Sequence, residues 1–249
     1  GKFICVGLDT DKNKIPIFLK NDPDGVYKFN KAIIESTRDF AAAYKINFAF
    51  YESAGSKGIS ELERTVELIS NDILSIGDAK RGDIGNTSEM YAKSIYEHFK
   101  FDAVTLHPYM GKDSLLPFID YIDKMNYILV LTSNTGANDF EKLKLKDGRF
   151  LYQNILERVN EWNEKNNCGV VFGATQLDEL RTNIKDFGNL SILLPGVGAQ
   201  GGSLEEVNRI FYEHKRKNYL VNVSRGIIFK SNGEDFAESA EVAGISYEE

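Results

Sequence analysis

Short apolar runs rich in β-branched residues recur along the chain and alternate with longer stretches in which apolar residues return every three or four positions. The short runs predict strands, and the longer stretches predict amphipathic helices. Most runs are continuous rather than alternating with polar residues, which is typical of parallel strands buried on both faces. The predicted strands are Phe3–Leu8, Ala42–Ile46, Ile73–Gly77, Ala103–Leu106, Tyr127–Leu131, Gly169–Gly173, Ser191–Leu194 and Leu220–Val223.

The stretches between these runs predict helices. The clearest are Glu61–Ile69, Ser88–Phe99, Leu151–Glu164 and Leu204–Lys215. Two of them carry a serine followed three residues later by glutamate, at Ser60 and at Ser203. This spacing fits a capping box and predicts that a helix starts at each serine.

Eight strand–helix units of about 31 residues each predict an α/β protein with a single (β/α)8 TIM barrel. A doubly wound open sheet is the alternative, but it usually has five or six strands and a glycine fingerprint after the first. This chain has Gly7-Leu8-Asp9-Thr10 there instead. Since no linker, low-complexity tract or shift in composition divides the chain, we predict one domain over residues 1–249.

Composition narrows the class of protein. The chain is 42% hydrophobic and 27% charged, which is typical of a water-soluble globular protein. Its net charge of −7 argues against nucleic acid as a partner, although a small anion needs only a local positive pocket. No signal-peptide pattern opens the sequence, and no apolar run approaches a membrane span. The two cysteines, Cys5 and Cys168, form no CxxC pair, so we expect free thiols in a cytoplasmic protein.

Charged residues stand at the ends of the first three predicted strands, namely Asp9, Lys45, and Asp78 with Lys80. In a barrel these ends meet where ligands bind. Residues two apart in a strand share a face, so Asp78 and Lys80 are expected to point the same way. An alternating Lys–Asp–Lys array would stabilise each charge and keep Lys80 protonated. Asp83 follows in the loop or first helical turn, and the run from Asp78 to Asp83 is equally compatible with a solvated charge cluster at a helix entrance.

Two segments after later strands predict a site for a phosphorylated ligand. Pro195–Gly202 contains four glycines in eight residues, so backbone N–H groups can approach an anion closely. The eighth strand ends at Ser224-Arg225, and arginine binds phosphate bidentately. Loops after strands seven and eight form the usual phosphate site of such barrels, whereas the glycine-rich loop alone is compatible with a flexible turn.

The long irregular segment Thr132–Gly148 also follows a strand and is predicted to be functional.

Several of these motifs resemble those of the orotidine 5′-monophosphate decarboxylase family. The decapeptide from Asp78 to Thr87, DAKRGDIGNT, resembles the family signature DxKxxDIxxT. The Pro195–Gly202 segment resembles the family's phosphate loop, and Ser224-Arg225 resembles its second phosphate contact. The resemblance runs from Cys5 to Gly226, and the Tyr109–Gly111 and Thr132–Gly148 stretches resemble the longer bacterial branch.

The resemblance implies decarboxylation of orotidine 5′-monophosphate to UMP and CO₂ in pyrimidine biosynthesis, without a metal, nucleotide or flavin cofactor. It implies that Asp9 binds the ribose hydroxyls and that Lys45 bridges the ribose and the charged array. Asp78 would face the substrate carboxylate, and Lys80 would protonate C6.

The resemblance also implies the remaining substrate contacts and a homodimer. Asp83 and Thr87 would reach into the site of the other subunit. Ser133 would bind the pyrimidine ring, and Gln200 would link base and phosphate. The phosphate would be held by the loop that begins at Pro195 and by Ser224 and Arg225.

Two other functions remain as alternatives. A related barrel of the 3-keto-L-gulonate 6-phosphate decarboxylase type uses a similar motif with Mg²⁺ and carries a carboxylate on its second strand. This chain has Lys45 there, which is a poor neighbour for a cation. A non-catalytic barrel that binds a phosphorylated ligand would need no array of Asp78 and Lys80.

Overall fold

The predicted strands form a closed parallel barrel. In the computed structural model, which describes residues 2–198 and 201–247, the strands follow one another around the barrel in chain order. The strands are β1 (Ile4–Gly7), β2 (Ala43–Asn47), β3 (Leu74–Arg81), β4 (Ala103–Leu106), β5 (Met125–Leu131), β6 (Cys168–Phe172), β7 (Ser191–Pro195) and β8 (Tyr219–Val223). β1 and β6 are buried at every position, as expected of parallel strands covered on both faces.

Helices connect the strands. They are α1 (Ile17–Lys20), α2 (Gly25–Thr37), α3 (Phe48–Glu52), α4 (Gly55–Val66), α5 (Gly85–Lys93), α6 (Leu116–Ile119), α7 (Leu151–Trp162), α8 (Leu177–Asn183), α9 (Leu204–Glu213), α10 (Arg225–Ile228) and α11 (Phe236–Ile245). A π-helical turn at Ser94–His98 extends α5. No helix in the described ranges combines the length and apolar composition of a membrane span.

The (β/α)8 fold class predicted from the sequence is confirmed, and seven strand bounds shift by no more than two residues. β3 is the exception, because it continues to Arg81 instead of ending at Gly77. Asp78 and Lys80 therefore lie within the strand rather than beyond it. Because the residues after Gly77 are mostly polar, the apolar pattern of the sequence did not predict this extension.

One of the two predicted helix starts is confirmed and the other is wrong. Ser203 caps α9, since its hydroxyl accepts a hydrogen bond from the N–H of Glu206 at 3.2 Å. Ser60 lies inside α4, which already begins at Gly55. Gly55 adopts a positive φ of 64°, so the chain turns sharply after α3 and starts the next helix five residues before Ser60.

The described chain divides into two compact units. The first takes in the described residues of Gly1–Ala79, Phe99–Asp102 and Asn222–Glu249, and the second those of Lys80–His98 and Ala103–Val221. In the first unit the Phe29 ring stacks on Phe236, with ring centroids 5.1 Å apart. In the second, Phe172 makes an edge contact with Phe187 at 5.3 Å.

Candidate active site

A buried lysine lies between two carboxylates at the carboxyl ends of β1, β2 and β3. The Lys45 ammonium nitrogen is 2.7 Å from Asp78 Oδ2 and 3.6 Å from Asp9 Oδ1. The side chains of Lys45 and Asp78 are 5% and 9% exposed. The strand register explains the cluster, because β1 pairs Gly7 with Lys45 and the β2–β3 ladder ends at Asp78. The structure therefore brings together three of the charged residues singled out in the sequence.

The electrostatics of this cluster keep Lys45 charged. Burial alone lowers the pKa of a lysine, but the carboxylates of Asp78 and Asp9 more than offset it and raise the pKa of Lys45 above its ordinary value. Cys5 lies in β1 close to the same charges. Burial raises the pKa of the Cys5 thiol to about 12, so it is neutral.

A buried hydrogen-bond network fixes the chain on both sides of Asp9. The Thr10 hydroxyl donates to Asn30 Oδ1 at 2.6 Å, and the Asn30 amide donates to the Tyr51 hydroxyl at 2.9 Å. The Tyr51 hydroxyl in turn donates to the Leu8 carbonyl at 3.1 Å. Asp9 Oδ1 itself is buried and accepts no hydrogen bond within the described chain.

The end of β8 presents a serine and an arginine on consecutive residues. Ser224 Oγ is buried and has no hydrogen-bond partner in the described chain, whereas Arg225 is exposed. A Cβ atom on Gly7 would lie only 2.7 Å from Ser224 Cβ, so a glycine in β1 permits this close approach. An unsatisfied buried hydroxyl beside an exposed guanidinium suits an anionic ligand.

Lys80 occupies an unusual position at the end of β3. Its φ of 46° is left-handed, and its side chain is exposed. Asp78 and Lys80 were predicted to point the same way as in a regular strand, but the two-residue alternation of side chains does not hold through such a conformation. Asp83 lies in the following loop, where its carboxylate accepts the N–H of Ile84 at 2.8 Å. Thr87 is exposed in the first turn of α5.

The second compact unit contains Ser133, which is predicted to bind the base. It also contains the loop after β7, which is predicted to bind the phosphate. The Ser133 hydroxyl donates to the Pro195 carbonyl at 3.3 Å. A Cβ on Gly173 would lie 2.6 Å from Ser133 Oγ, so this contact too depends on a glycine. In the loop after β7, three glycines have positive φ, and Gly202 N–H donates to the Gly196 carbonyl at 3.0 Å. Gln200 lies outside the described residues.

The segment after β5 is anchored rather than loose. A 3-10 helix spans Thr135–Asn138, and Glu141 accepts the N–H of Thr132 at 2.7 Å. Lys142 donates to Gln176 Oε1 at 2.7 Å. The Gln176 amide donates back to the Thr132 carbonyl at 3.0 Å. These bonds hold the residue next to Ser133. These hydrogen bonds could not be predicted from the sequence, since Glu141 and Lys142 resemble ordinary surface charges.

A closed parallel barrel with charged residues at the carboxyl ends of its strands and a glycine-rich loop after β7 is typical of barrel enzymes that act on phosphorylated substrates. Comparison with known families narrows this class. The profile of the orotidine 5′-phosphate decarboxylase / HUMPS family matches residues 2–240. The chain belongs to this family.

Individual relatives agree with the family match. A Porphyromonas gingivalis protein named orotidine 5′-phosphate decarboxylase is 46% identical over 241 residues, which are 96% of this chain and 87% of the relative. The structure of Leishmania donovani OMP decarboxylase has a TM-score of 0.83 and 34% identity, covering 98% of this chain and 92% of that one. The structure of UMP synthase from the same organism has a TM-score of 0.85 and 35% identity. It is matched over 98% of this chain but 53% of its own, so this chain spans about half of that longer protein.

Proposed function

We propose that this chain decarboxylates orotidine 5′-monophosphate to UMP and CO₂ in pyrimidine biosynthesis, with Lys80 as the proton donor to C6. Family membership over residues 2–240 and 46% identity to a decarboxylase support the reaction. The observation that carries the mechanism is the buried ion cluster of Asp9, Lys45 and Asp78. Asp78 stands two residues before Lys80 on the same strand.

The reaction needs charge stabilisation that is fixed in advance. When the bond between C6 and the carboxylate breaks, CO₂ leaves and the electron pair stays on C6 in an orbital that the ring delocalises poorly. The ammonium of Lys80 stabilises this developing carbanion and then transfers a proton to C6. The resulting amine recovers a proton from water. Asp78 repels the substrate carboxylate, and this repulsion is relieved as CO₂ departs.

The rest of the substrate is held by groups that do not react. Asp9 Oδ1, which is buried and unsatisfied, accepts a ribose hydroxyl, and Lys45 bridges the ribose and the carboxylates. Ser133 binds the pyrimidine ring. Arg225, Ser224 and the loop starting at Pro195 hold the phosphate, and Gln200 links phosphate and base. Binding energy from the phosphate lowers the barrier only where it is realised in the transition state.

We further propose a cytoplasmic homodimer in which Asp83 and Thr87 enter the partner's site. Thr87 is exposed, and the apolar side chains of Ile84 and Met90 beside it are 57% and 54% exposed. Apolar exposure on the segment that carries both residues supports a covered interface. Both cysteines are free and buried, which is in keeping with a reducing compartment.

Replacement of Lys80 tests the role of the proton donor. In Lys80→Ala, release of CO₂ from carboxyl-labelled substrate should be abolished, while UMP still binds because the phosphate contacts remain. Near-normal CO₂ release from this variant would refute the mechanism.

Mixed dimers test the shared site. When Lys80→Ala and Asp83→Ala chains are co-expressed, each mixed dimer regains one native site, so random pairing restores about a quarter of wild-type sites. Each variant expressed alone is the control. Absence of recovery in purified mixed dimers would refute the contribution of Asp83 across the interface.

The two alternative functions have less support. A Mg²⁺-dependent barrel reaction needs carboxylates free to bind the cation, but Asp78 is paired with the Lys45 ammonium at 2.7 Å, and that positive charge would repel the cation. A purely binding function gives no reason to bury a lysine between two acids.

A further inference from the structure

The backbone of Lys80 adopts a conformation that residues with a Cβ atom rarely take. Its φ is 46°, and the other described non-glycine residues with positive φ are Lys100, Asn166 and Lys215. Those three lie in turns or loops, whereas Lys80 lies within β3. Such a conformation is unfavourable, so it persists only where neighbouring groups hold it.

Two hydrogen bonds from the end of β4 hold the chain on either side of the Lys80 Cα atom. The N–H of Lys80 donates to Thr105 Oγ1 at 3.1 Å. The carbonyl of the next residue, Arg81, accepts the N–H of His107 at 3.0 Å. Thr105 is 2% exposed, and its backbone pairs with Tyr127 on β5. The acceptor for Lys80 is thus a side-chain hydroxyl anchored in the sheet.

We propose that Thr105 is a positioning residue for Lys80, and that its hydroxyl holds the left-handed backbone from which the lysine side chain projects. The proposal rests on the proposed function, in which Lys80 donates the proton. The ammonium lies about 6 Å from the Cα atom along an extended side chain, so a backbone rotation of about 10° moves it by about 1 Å. Proton transfer does not tolerate an error of that size.

Two substitutions of Thr105 distinguish the effect of its hydroxyl on kcat from the effect of its side-chain shape. Thr105→Val keeps the branched shape but removes the acceptor, and we expect kcat to fall about 10- to 100-fold. KM and UMP affinity should stay within about threefold, because Thr105 acts on the reacting group rather than on the phosphate. Thr105→Ser keeps the acceptor and should restore kcat to within about threefold of wild type.

Thr37→Val is the matched control. Thr37 is fully buried, and its hydroxyl donates to the Ile33 carbonyl at 2.7 Å within α2. This variant also loses a buried hydroxyl, but its kcat should not change. Thr105→Ala, which likewise removes the acceptor, replaces Thr105→Val in the comparison if the valine variant does not fold.

The backbone conformation is tested separately by urea unfolding of Lys80→Gly and Lys80→Ala. Glycine adopts positive φ without a steric penalty, so the folding equilibrium constant of Lys80→Gly should exceed that of Lys80→Ala by about 5- to 30-fold. Alanine as stable as glycine would show that Lys80 is not held in a left-handed conformation and would overturn the proposal.

The outcomes distinguish this proposal from the proposed function. Turnover by Lys80→Ala would refute Lys80 as the proton donor. Loss of turnover in Lys80→Ala together with wild-type kcat in Thr105→Val would overturn the positioning role alone. The positioning role also fails if Thr105→Ser loses as much activity as Thr105→Val, or if UMP affinity falls in parallel with kcat.

Discussion

Replacing Gly7 by alanine should displace one of the predicted phosphate contacts. The added Cβ would lie 2.7 Å from Ser224 Cβ and 3.3 Å from Ser224 Cα, whereas ordinary contacts begin at 3.4 Å. Ser224 must therefore move by about 0.7 Å (3.4 minus 2.7). Asn222 Oδ1 would also lie close, at 3.2 Å. A change of the Ser224 rotamer gives no relief, because the atoms of Ser224 in conflict are its Cα and Cβ atoms rather than its hydroxyl.

The displacement should weaken both phosphate binding and folding. A hydroxyl at about 2.8 Å from a phosphate oxygen would be carried to about 3.5 Å, where the hydrogen bond is lost. A hydrogen bond to a charged group contributes about 1.5–3 kcal/mol. UMP affinity should therefore fall about 10- to 150-fold. Overpacking should lower the free energy of unfolding by about 1–3 kcal/mol.

Calorimetric titration with UMP and urea unfolding measure the two effects separately. Gly169→Ala is the control, because its Cβ would lie 2.8 Å from the Ser191 carbonyl oxygen, at the start of β6 rather than beside a predicted contact. This variant should lose stability to a similar extent and still bind UMP. If Gly7→Ala binds UMP as tightly as wild type, or if both variants lose affinity equally, Ser224 is not a phosphate contact.

Three further predictions concern buried ionisable groups. Lys45→Met leaves two carboxylates without their cation and should lower the free energy of unfolding by about 3–5 kcal/mol in urea, so unchanged stability would contradict the ion cluster. Burial raises the pKa of Glu61 above that of the unfolded chain, so stability falls as pH rises through the folded pKa. Glu61→Gln should therefore be more stable than wild type at pH 7 but not at pH 4, and equal stability at pH 7 would contradict this. Burial raises the pKa of Cys5 to about 12 and that of Cys168 to about 11. The native chain should therefore not react with a thiol reagent at pH 8, and the unfolded chain should react at both cysteines.

The barrel could be predicted from the sequence because parallel strands bury both faces and so appear as apolar runs. The apolar pattern predicted the wrong bounds where hydrogen bonds or backbone turns, rather than burial, determine where an element begins or ends. Hydrogen bonds with Thr105 and His107 carry β3 through the polar residues up to Arg81, and the turn at Gly55 starts α4 before the serine that fits a cap. Both errors arise because hydrogen bonds and backbone turns produce weaker sequence patterns than burial does.

The residues of the candidate site also divide into those that the sequence pattern indicated and those that it did not. Lys45 and Asp78 were found because charges at strand ends are unusual. Thr105 and Glu141 were missed, since Thr105 acts through a hydrogen bond to Lys80 on another strand and Glu141 through hydrogen bonds to Thr132, and neither contact follows from an apolar pattern. Asn30 did leave a signal. It is a fully buried polar residue on the apolar face of α2, and such a residue must find buried partners.

The central claim is that this chain alone decarboxylates orotidine 5′-monophosphate. It is tested most directly by treating the purified protein with EDTA, adding the substrate and following the absorbance of the orotate ring. We predict rapid loss of the orotate absorbance with formation of one UMP per substrate, and no loss with Lys80→Ala. A folded protein that binds UMP but leaves the orotate absorbance unchanged would contradict the account.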